Sequence, residues 1–392
     1  MNRQRQSNSL LLSGAAIALP EKTLQRGSVL VQAQTIKSIY DGELPEIPEQ
    51  CEGIDLTGFC LFPGFIDVHI HGAQGVDVMN ASAEDLTAMS LFLASCGVTG
   101  WVPTFVPAAD ENYERSVNEI AAVVENNSLG ARLLGVHYEG PFVNTAQCGA
   151  LHRDYFKTYS APSDLNNLCL PGSGARMITL APEIEGGIAL VKELDKRGWV
   201  VSIGHTRADV ELLDDAFDNG ARHMTHFMNA MPPLHHRNLG PVSWGLSRDD
   251  VTCDVIADGI HLDQSILRLL LKIKGSGRLS LISDAIAATG KGDGSYQIWG
   301  ETITVTNGRT SNASGNIAGS VITMVDAVRM MRSLGVPDIE VARMSSSNPA
   351  RLLRIDHECG SIEAGKRADL VAIDGEGRVK LTLVGGNIVF RE

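Results

Sequence analysis

Pro63-Gly64-Phe65-Ile66-Asp67-Val68-His69-Ile70-His71-Gly72 is an apolar run that closes on two histidines set one residue apart. Alternate residues of a strand face the same way, so as a strand this segment turns His69 and His71 to one side, where both can grip one ion. Taken alone, the pair fits two hydrogen-bonded core histidines equally well. The pattern around it decides more. Short apolar runs recur at 98–104, 133–137, 176–180, 200–203, 222–225, 253–257 and 279–283, which with 65–71 makes eight, and segments of helical texture separate them. Eight strands alternating with helices predict an α/β fold, a closed (β/α)8 TIM barrel.

The intervening helices are read from caps and periodicity. Ser82-Ala83-Glu84-Asp85 opens one that reaches Ser95 and stops at Cys96-Gly97, and others are expected over 110–125, 185–196, 208–219, 263–274 and 320–333. Gly290-Lys291-Gly292-Asp293-Gly294 has no phosphate-loop pattern and reads as a mobile loop. Both chain ends have a different texture, with short strands and turns such as Leu44-Pro45-Glu46-Ile47-Pro48. The expected organisation is a catalytic barrel over 60–350 and one small β-sandwich domain formed by 1–59 together with 351–392.

Composition bounds the function. With 44% hydrophobic and 20% charged residues in 392, the chain reads as globular, neither disordered nor built of membrane spans, and no run of 18 apolar residues occurs. A net charge of −13 argues against nucleic acid or an anionic membrane as partner, so an anionic ligand needs a local basic pocket. The seven cysteines are scattered and form no C-x-x-C pair, which predicts a reducing, cytoplasmic setting. Arg3 and Arg5 ahead of the apolar stretch 10–19 admit a short signal peptide, but the strand spacing that follows favours a first β-strand.

Four further ligand types stand directly after apolar runs: Glu139, His205, His226 and Asp284. In a parallel barrel every strand ends on the same face, so these converge with His69 and His71 although the set spans 215 residues. Four histidines and two carboxylates at one mouth predict a site for a divalent metal, one ion or two per subunit. Zn²⁺ suits this donor mix best, and Fe²⁺, Mn²⁺ and Co²⁺ suit it nearly as well. His235 and His236 read as solvated or substrate-gating, His137 as a buried histidine behind the ligands, and His223 as a packing residue.

The words that carry this chemistry are similar to those of the amidohydrolase superfamily, and within it to the branch that deacetylates N-acetylglucosamine 6-phosphate. They are Pro63-Gly64-Phe65-Ile66-Asp67, Glu139-Gly140-Pro141-Phe142, Gly204-His205-Thr206, Thr225-His226-Phe227-Met228-Asn229-Ala230-Met231, Asp258-Gly259-Ile260-His261 and Ser283-Asp284-Ala285. The resemblance implies that Glu139, His205 and His226 hold the principal metal, with Glu139 bridging to a second at His69 and His71, and that Asp284 is the catalytic acid and base. It further implies Asn229 and Ala230 as a phosphate-facing turn, Arg237 as a charge partner reaching from a neighbouring subunit of a homodimer, His261 as a phosphate or sugar contact, and Ile317-Ala318-Gly319 as a loop over the sugar.

One word departs from the pattern. Where relatives carry Gly-Ala-His or Gly-Thr-His, this chain reads Cys148-Gly149-Ala150-Leu151-His152, so either His152 reaches the substrate beside Ala150 through a one-residue bulge or Leu151 takes that place. Arg153, Tyr155 and Lys157 follow in the same loop and can retune substrate choice. The expected reaction is hydrolysis of the acetamide of N-acetylglucosamine 6-phosphate, in amino-sugar recycling or catabolism. N-acetylgalactosamine 6-phosphate or another N-acyl amine is the alternative substrate.

Overall fold

The computed structural model describes residues 9–42, 51–126 and 130–392. Arg3, Arg5 and the turn at 44–48 lie outside the described residues. Eight parallel strands form the barrel: β1 Phe65–Ile70, β2 Val98–Phe105, β3 Gly135–Glu139, β4 Ala175–Leu180, β5 Val200–Ile203, β6 His223–Met224, β7 Thr252–Ile256 and β8 Leu279–Ile282. Each pairs with its sequence neighbour, and a parallel bridge from Ile70 to Ala285 closes the ring, with Asp284 N donating to His69 O at 2.9 Å. The run read at 133–137 divides at Leu134, because Gly135 takes φ +152° and a Cβ there would meet Ala175 O at 2.0 Å.

Helices α1 Ala83–Ser95, α2 Asp110–Glu125, α3 Gly187–Lys196, α4 Val210–Asp218, α5 Pro241–Ser247, α6 Gln264–Lys274 and α7 Met324–Ser333 pack around the barrel. The first is opened by a capping box, in which Asp85 N donates to Ser82 Oγ and Ser82 N donates to Asp85 Oδ2. Four helices begin later than the periodicity predicts, and at three of them a capping side chain stands just before the first turn. Asp209, Asp263 and Thr323 serve as N-caps, so they stand outside the helical turns they terminate. The short α5 has too few turns to show a period and starts on Pro241, a residue that fits a first helical turn.

Between strands and helices lies a close-packed aromatic cluster. Tyr138 meets Phe105 and Tyr113 edge-on at 5.2 and 5.0 Å, all three buried. Inside the barrel, Ile66, Val102, Met177, Ile256 and Ile282 form an apolar plug. Thr104, His137, Thr179, Ser202 and Thr225 make a hydrogen-bonded polar layer.

The chain ends share one eight-stranded sheet, in which Cys60–Pro63 pairs antiparallel with Leu370–Ile373. A bridge from Thr35 to Arg367 folds this sheet back on itself around Leu12, Ile17, Val29, Ile36, Leu370 and Leu381, giving the sandwich its own core. The sheet continues through Pro63, past the boundary read at 59, and the barrel starts directly after Gly64. The apolar stretch near the N-terminus is the strand Ser9–Ala18, with Leu10, Leu11, Leu12, Ala15 and Ile17 buried. All seven cysteines are free. Among the described residues no helix is long and apolar enough to cross a membrane.

One element was not foreseen. Beyond β8, where only a mobile loop was expected, Gly294–Ile298, Glu301–Thr306 and Arg309–Ser311 form a three-stranded antiparallel sheet that brings Trp299 to the barrel mouth.

Candidate metal centre and active site

The ligand candidates meet at the C-terminal mouth in two buried groups, His69 with His71 and Asp284, and Glu139 with His205 and His226. His69 and His71 lie at the end of β1 with their Nε2 atoms 3.2 Å apart. Glu139 ends β3 and sits between the groups: its Oε1 is 2.8 Å from His226 Nε2, 3.0 Å from His205 Nε2 and 3.5 Å from His69 Nε2, and its Oε2 is 3.3 Å from His71 Nε2. Asp284 Oδ1 reaches His69 and His71 at 3.4 and 3.3 Å. His205, His226 and Asp284 stand two residues beyond the ends of β5, β6 and β8, and take left-handed φ values of 49°, 29° and 50°. Such conformations cost roughly 1–3 kcal/mol each and persist where the surroundings over-determine them, here to turn a side chain inward at a strand end.

The donor set fits a divalent cation. His71 Nδ1 donates to Thr104 O at 3.0 Å and His205 Nδ1 donates to Gln147 O at 2.7 Å, which leaves the Nε2 lone pairs directed at the centre. Lone pairs 3.1–3.2 Å apart, as between His205 and His226 and between His69 and His71, repel each other unless a proton or cation lies between them.

Electrostatics point the same way. Burial works against charge on His71 and His226, yet hydrogen bonds and attraction from the carboxylates raise both, His71 to about 10. Burial likewise opposes charge on Glu139 and Asp284, and the surrounding histidines hold both carboxyls below their usual range. Two ionised carboxylates in a buried site call for positive charge. His137, behind His69 at 4.7 Å between ring centroids, is driven well below the usual histidine range by burial and by its neighbour, and it bonds Thr179 Oγ1 and Thr104 Oγ1.

A cavity of about 440 Å³ opens over these ligands, lined also by Ala150, Leu151, Arg153, Asn229, Ala230 and His261. His261 Nδ1 donates to Asp258 Oδ2 at 2.7 Å, and Asp258 Oδ1 also accepts from the backbone of Ile260 and His261. Burial would raise Asp258, but its bonds to His261 and the backbone lower it, so the orientation of His261 is fixed from behind. Asn229 Nδ2 donates to His226 O, and Ala230 takes φ +50°, which together shape the turn after β6.

Ile317 and Gly319 line the cavity, whereas Ala318 between them is buried against Ile286 and Ile303. A Cβ on Gly319 would stand 2.9 Å from Asp284 O, and Ser320 N donates to that oxygen at 2.7 Å. This loop therefore lies directly on the backbone of Asp284.

Two of the expected contact residues do not line this cavity: His152, one of the two readings of its loop, and Arg237, which was expected at a neighbouring subunit's site. His152 turns to the inserted sheet, where its Nε2 donates to Trp299 O at 2.5 Å, and Leu151 faces the cavity instead. Arg237 is outside the lining, on an exposed loop with His235 and His236, whose rings stack at 4.8 Å. His223 is buried, with Nδ1 bonded to Thr252 Oγ1 and Nε2 2.9 Å from Asp254 Oδ1. Trp299 and Asn316 also line the cavity and were missed. Nothing in a polar, exposed hairpin marks Trp299 as a site residue, but the Asp-Gly-Ile-His word, read only for its histidine, did contain Asp258.

Comparison with known proteins follows the same lines. A model of the amidohydrolase family matches residues 60–389. The N-acetylglucosamine-6-phosphate deacetylase of Bacillus subtilis is 36% identical over 393 aligned residues, 98% of each chain. Among solved structures, the N-acetylglucosamine-6-phosphate deacetylase of Pasteurella multocida gives a TM-score of 0.90 at 30% identity, covering 97% of this chain and 99% of that one. A mutant of the Mycobacterium smegmatis deacetylase in complex with N-acetyl-D-glucosamine-6-phosphate gives 0.88 at 30% identity, covering 97% and 99%.

Proposed function

The chain belongs to the amidohydrolase family, and from that premise we propose that it hydrolyses the acetamide of N-acetylglucosamine 6-phosphate to acetate and glucosamine 6-phosphate. The observation that carries the reading is the pair of ligand groups joined by Glu139 beneath a cavity that also exposes Asn229, Ala230 and His261.

Glu139, His205 and His226 would hold one divalent ion, and His69 and His71 a second beside Asp284. Such an ion supplies positive charge that acidifies a water molecule and polarises the acetyl carbonyl. Asp284 takes a proton from the attacking water and returns it to the departing nitrogen as the carbon–nitrogen bond breaks. The oxygen of water ends in acetate, and its proton ends on the amine. Zn²⁺ is our choice of ion, from a donor set of histidines and carboxylates. His261, held by Asp258, and the turn at Asn229 and Ala230 bind and orient the substrate.

The working unit in this reading is a homodimer in the cytoplasm. Arg237 stands between the exposed Leu234 and Leu239, a combination suited to reaching a neighbour's phosphate while burying apolar surface. Seven free cysteines fit a reducing compartment.

Because Leu151 rather than His152 lines the cavity, the galactosamine epimer is a second candidate. Acetate release from the two 6-phosphates and from unphosphorylated N-acetylglucosamine tests the reading. Turnover that needs both metal and phosphate, and is fastest with the gluco epimer, supports it. A faster galacto epimer selects the alternative, and no turnover of either phosphate overturns both.

A further inference from the structure

We propose that Trp299 is a specificity-determining residue that closes the acyl end of the cavity and restricts the hydrolysed amide to a short acyl group such as acetyl, an inference that rests on the deacetylase reading above. Among the described residues that line the cavity, Trp299 is the one phenylalanine, tyrosine or tryptophan. Its ring meets that of His71 edge-on at 5.2 Å between centroids, and His71 Nε2 is 3.3 Å from Asp284 Oδ1. The indole nitrogen is shielded from solvent, so what the ring offers the cavity is apolar surface.

The backbone holds the ring in this place. Ile298 pairs with Glu301, which leaves Trp299 and Gly300 as a two-residue hairpin turn with φ of +53° and +78°. Such turns favour asparagine or glycine, and a bulky side chain at positive φ is a costly exception. The indole therefore serves its contacts rather than the turn. It packs between the barrel core and the cluster of Ile286, Ile298 and Ile303, and its carbonyl accepts the bond from His152 that ties the turn to the loop after β3. Ala150, in that same loop, packs on the same cluster and also lines the cavity.

Substrate geometry gives this wall its role. A secondary amide is planar and trans, so the acyl carbon and the carbon on nitrogen lie on opposite sides of the bond. On the deacetylase reading the sugar on nitrogen meets Asn229, Ala230 and His261, beyond β6 and β7, and the carbonyl carbon lies beside Asp284. The acyl chain is then directed across the eight-stranded ring, to the side of β1 and β3 where Trp299 covers His71. An acetyl methyl ends at this wall, whereas each added methylene presses on an indole whose backbone is fixed by a turn and a hydrogen bond.

The test compares N-acetyl-, N-propionyl- and N-butyrylglucosamine 6-phosphate on metal-loaded wild type, Trp299→Ala and Trp299→Phe, with binding of acetate and butyrate followed by calorimetry and metal content measured for each protein. In wild type, kcat/KM should fall about tenfold or more for each methylene added. Trp299→Ala should cut the acetyl-to-butyryl ratio by about tenfold or more, chiefly by raising the butyryl value, and Trp299→Phe, which keeps an apolar ring, should shift the ratio the same way by less. Butyrate should bind the alanine variant about tenfold more tightly than wild type, with acetate affinity changed far less. An unchanged ratio, or equal losses on all three sugars, would overturn the role of Trp299. Loss of a metal ion from the alanine variant with no gain on the butyryl sugar would make Trp299 a support for His71 instead, and would overturn it too. A wild type that hydrolyses none of the three would contradict the deacetylase reading, and butyrate binding would then judge the wall by itself.

Discussion

The carboxylate of Asp67 on the first barrel strand accepts a hydrogen bond from Ser283 Oγ at 2.5 Å and another from Ser283 N at 3.2 Å, joining that strand to the last one immediately before Asp284. Asp67 is buried, and burial raises it to about 6 although its bonds to Ser283 and His69 pull the other way. An acid whose folded value lies above its unfolded one binds more protons when folded. Its ionisation therefore costs stability, absent below about pH 4 and fully present above about pH 6. A rise from 3.8 to about 6 corresponds to about 3 kcal/mol at most. Asp67→Asn removes that charge, so the melting temperature of the variant relative to wild type should climb by a few degrees between pH 4 and 7. Parallel melting profiles would show that Asp67 carries no such penalty.

Asp284 touches both histidines of the first strand, but Glu139, His205 and His226 form a separate complete group. Asp284→Asn should therefore keep the metal held by that group while kcat falls by about three orders of magnitude or more, through loss of the proton carrier. Elemental analysis and single-turnover acetate release read the two effects separately. Near-normal turnover would remove Asp284 from the chemistry.

The two ligand groups also predict stoichiometry. Under metal-replete conditions wild type should hold two equivalents per chain, and a His69→Ala, His71→Ala variant one. Mass spectrometry of the native protein counts ions directly. One equivalent in wild type would mean that the position beside Asp284 does not hold its own ion.

Much of this site was legible because a parallel barrel writes its active site at regular places. Each ligand type directly follows an apolar run, and His69 and His71 share the face that strand alternation gives them. The left-handed turns at His205, His226 and Asp284 do not show in composition, since glycine is the residue that usually marks them. Residues 294–311 were missed for another reason. Ile303 and Val305 alternate with threonines ahead of Asn307-Gly308, a hairpin pattern that was passed over, whereas the position of Trp299 at the mouth is set by how the sheet docks and has no local signal. The choice between Leu151 and His152 turned on a contact 147 residues away, from His152 to Trp299 O, which local sequence cannot encode.

Arg237 makes a prediction about assembly. It is exposed between Leu234 and Leu239 and contributes nothing to its own cavity lining. If a second subunit receives it, Arg237→Ala should raise KM for the phosphorylated sugar about tenfold or more with kcat nearly unchanged, and Leu234→Asp should weaken the dimer in sedimentation velocity. A monomeric wild type with full activity would contradict the shared site.

The most direct test of the central claim is acetate release from N-acetylglucosamine 6-phosphate by chelator-treated protein, before and after a divalent metal is restored. The account predicts negligible release from the stripped protein, recovery on adding Zn²⁺ or a similar ion, and no recovery in a His205→Ala, His226→Ala variant. Full activity in stripped protein, or none in metal-loaded wild type, would contradict it.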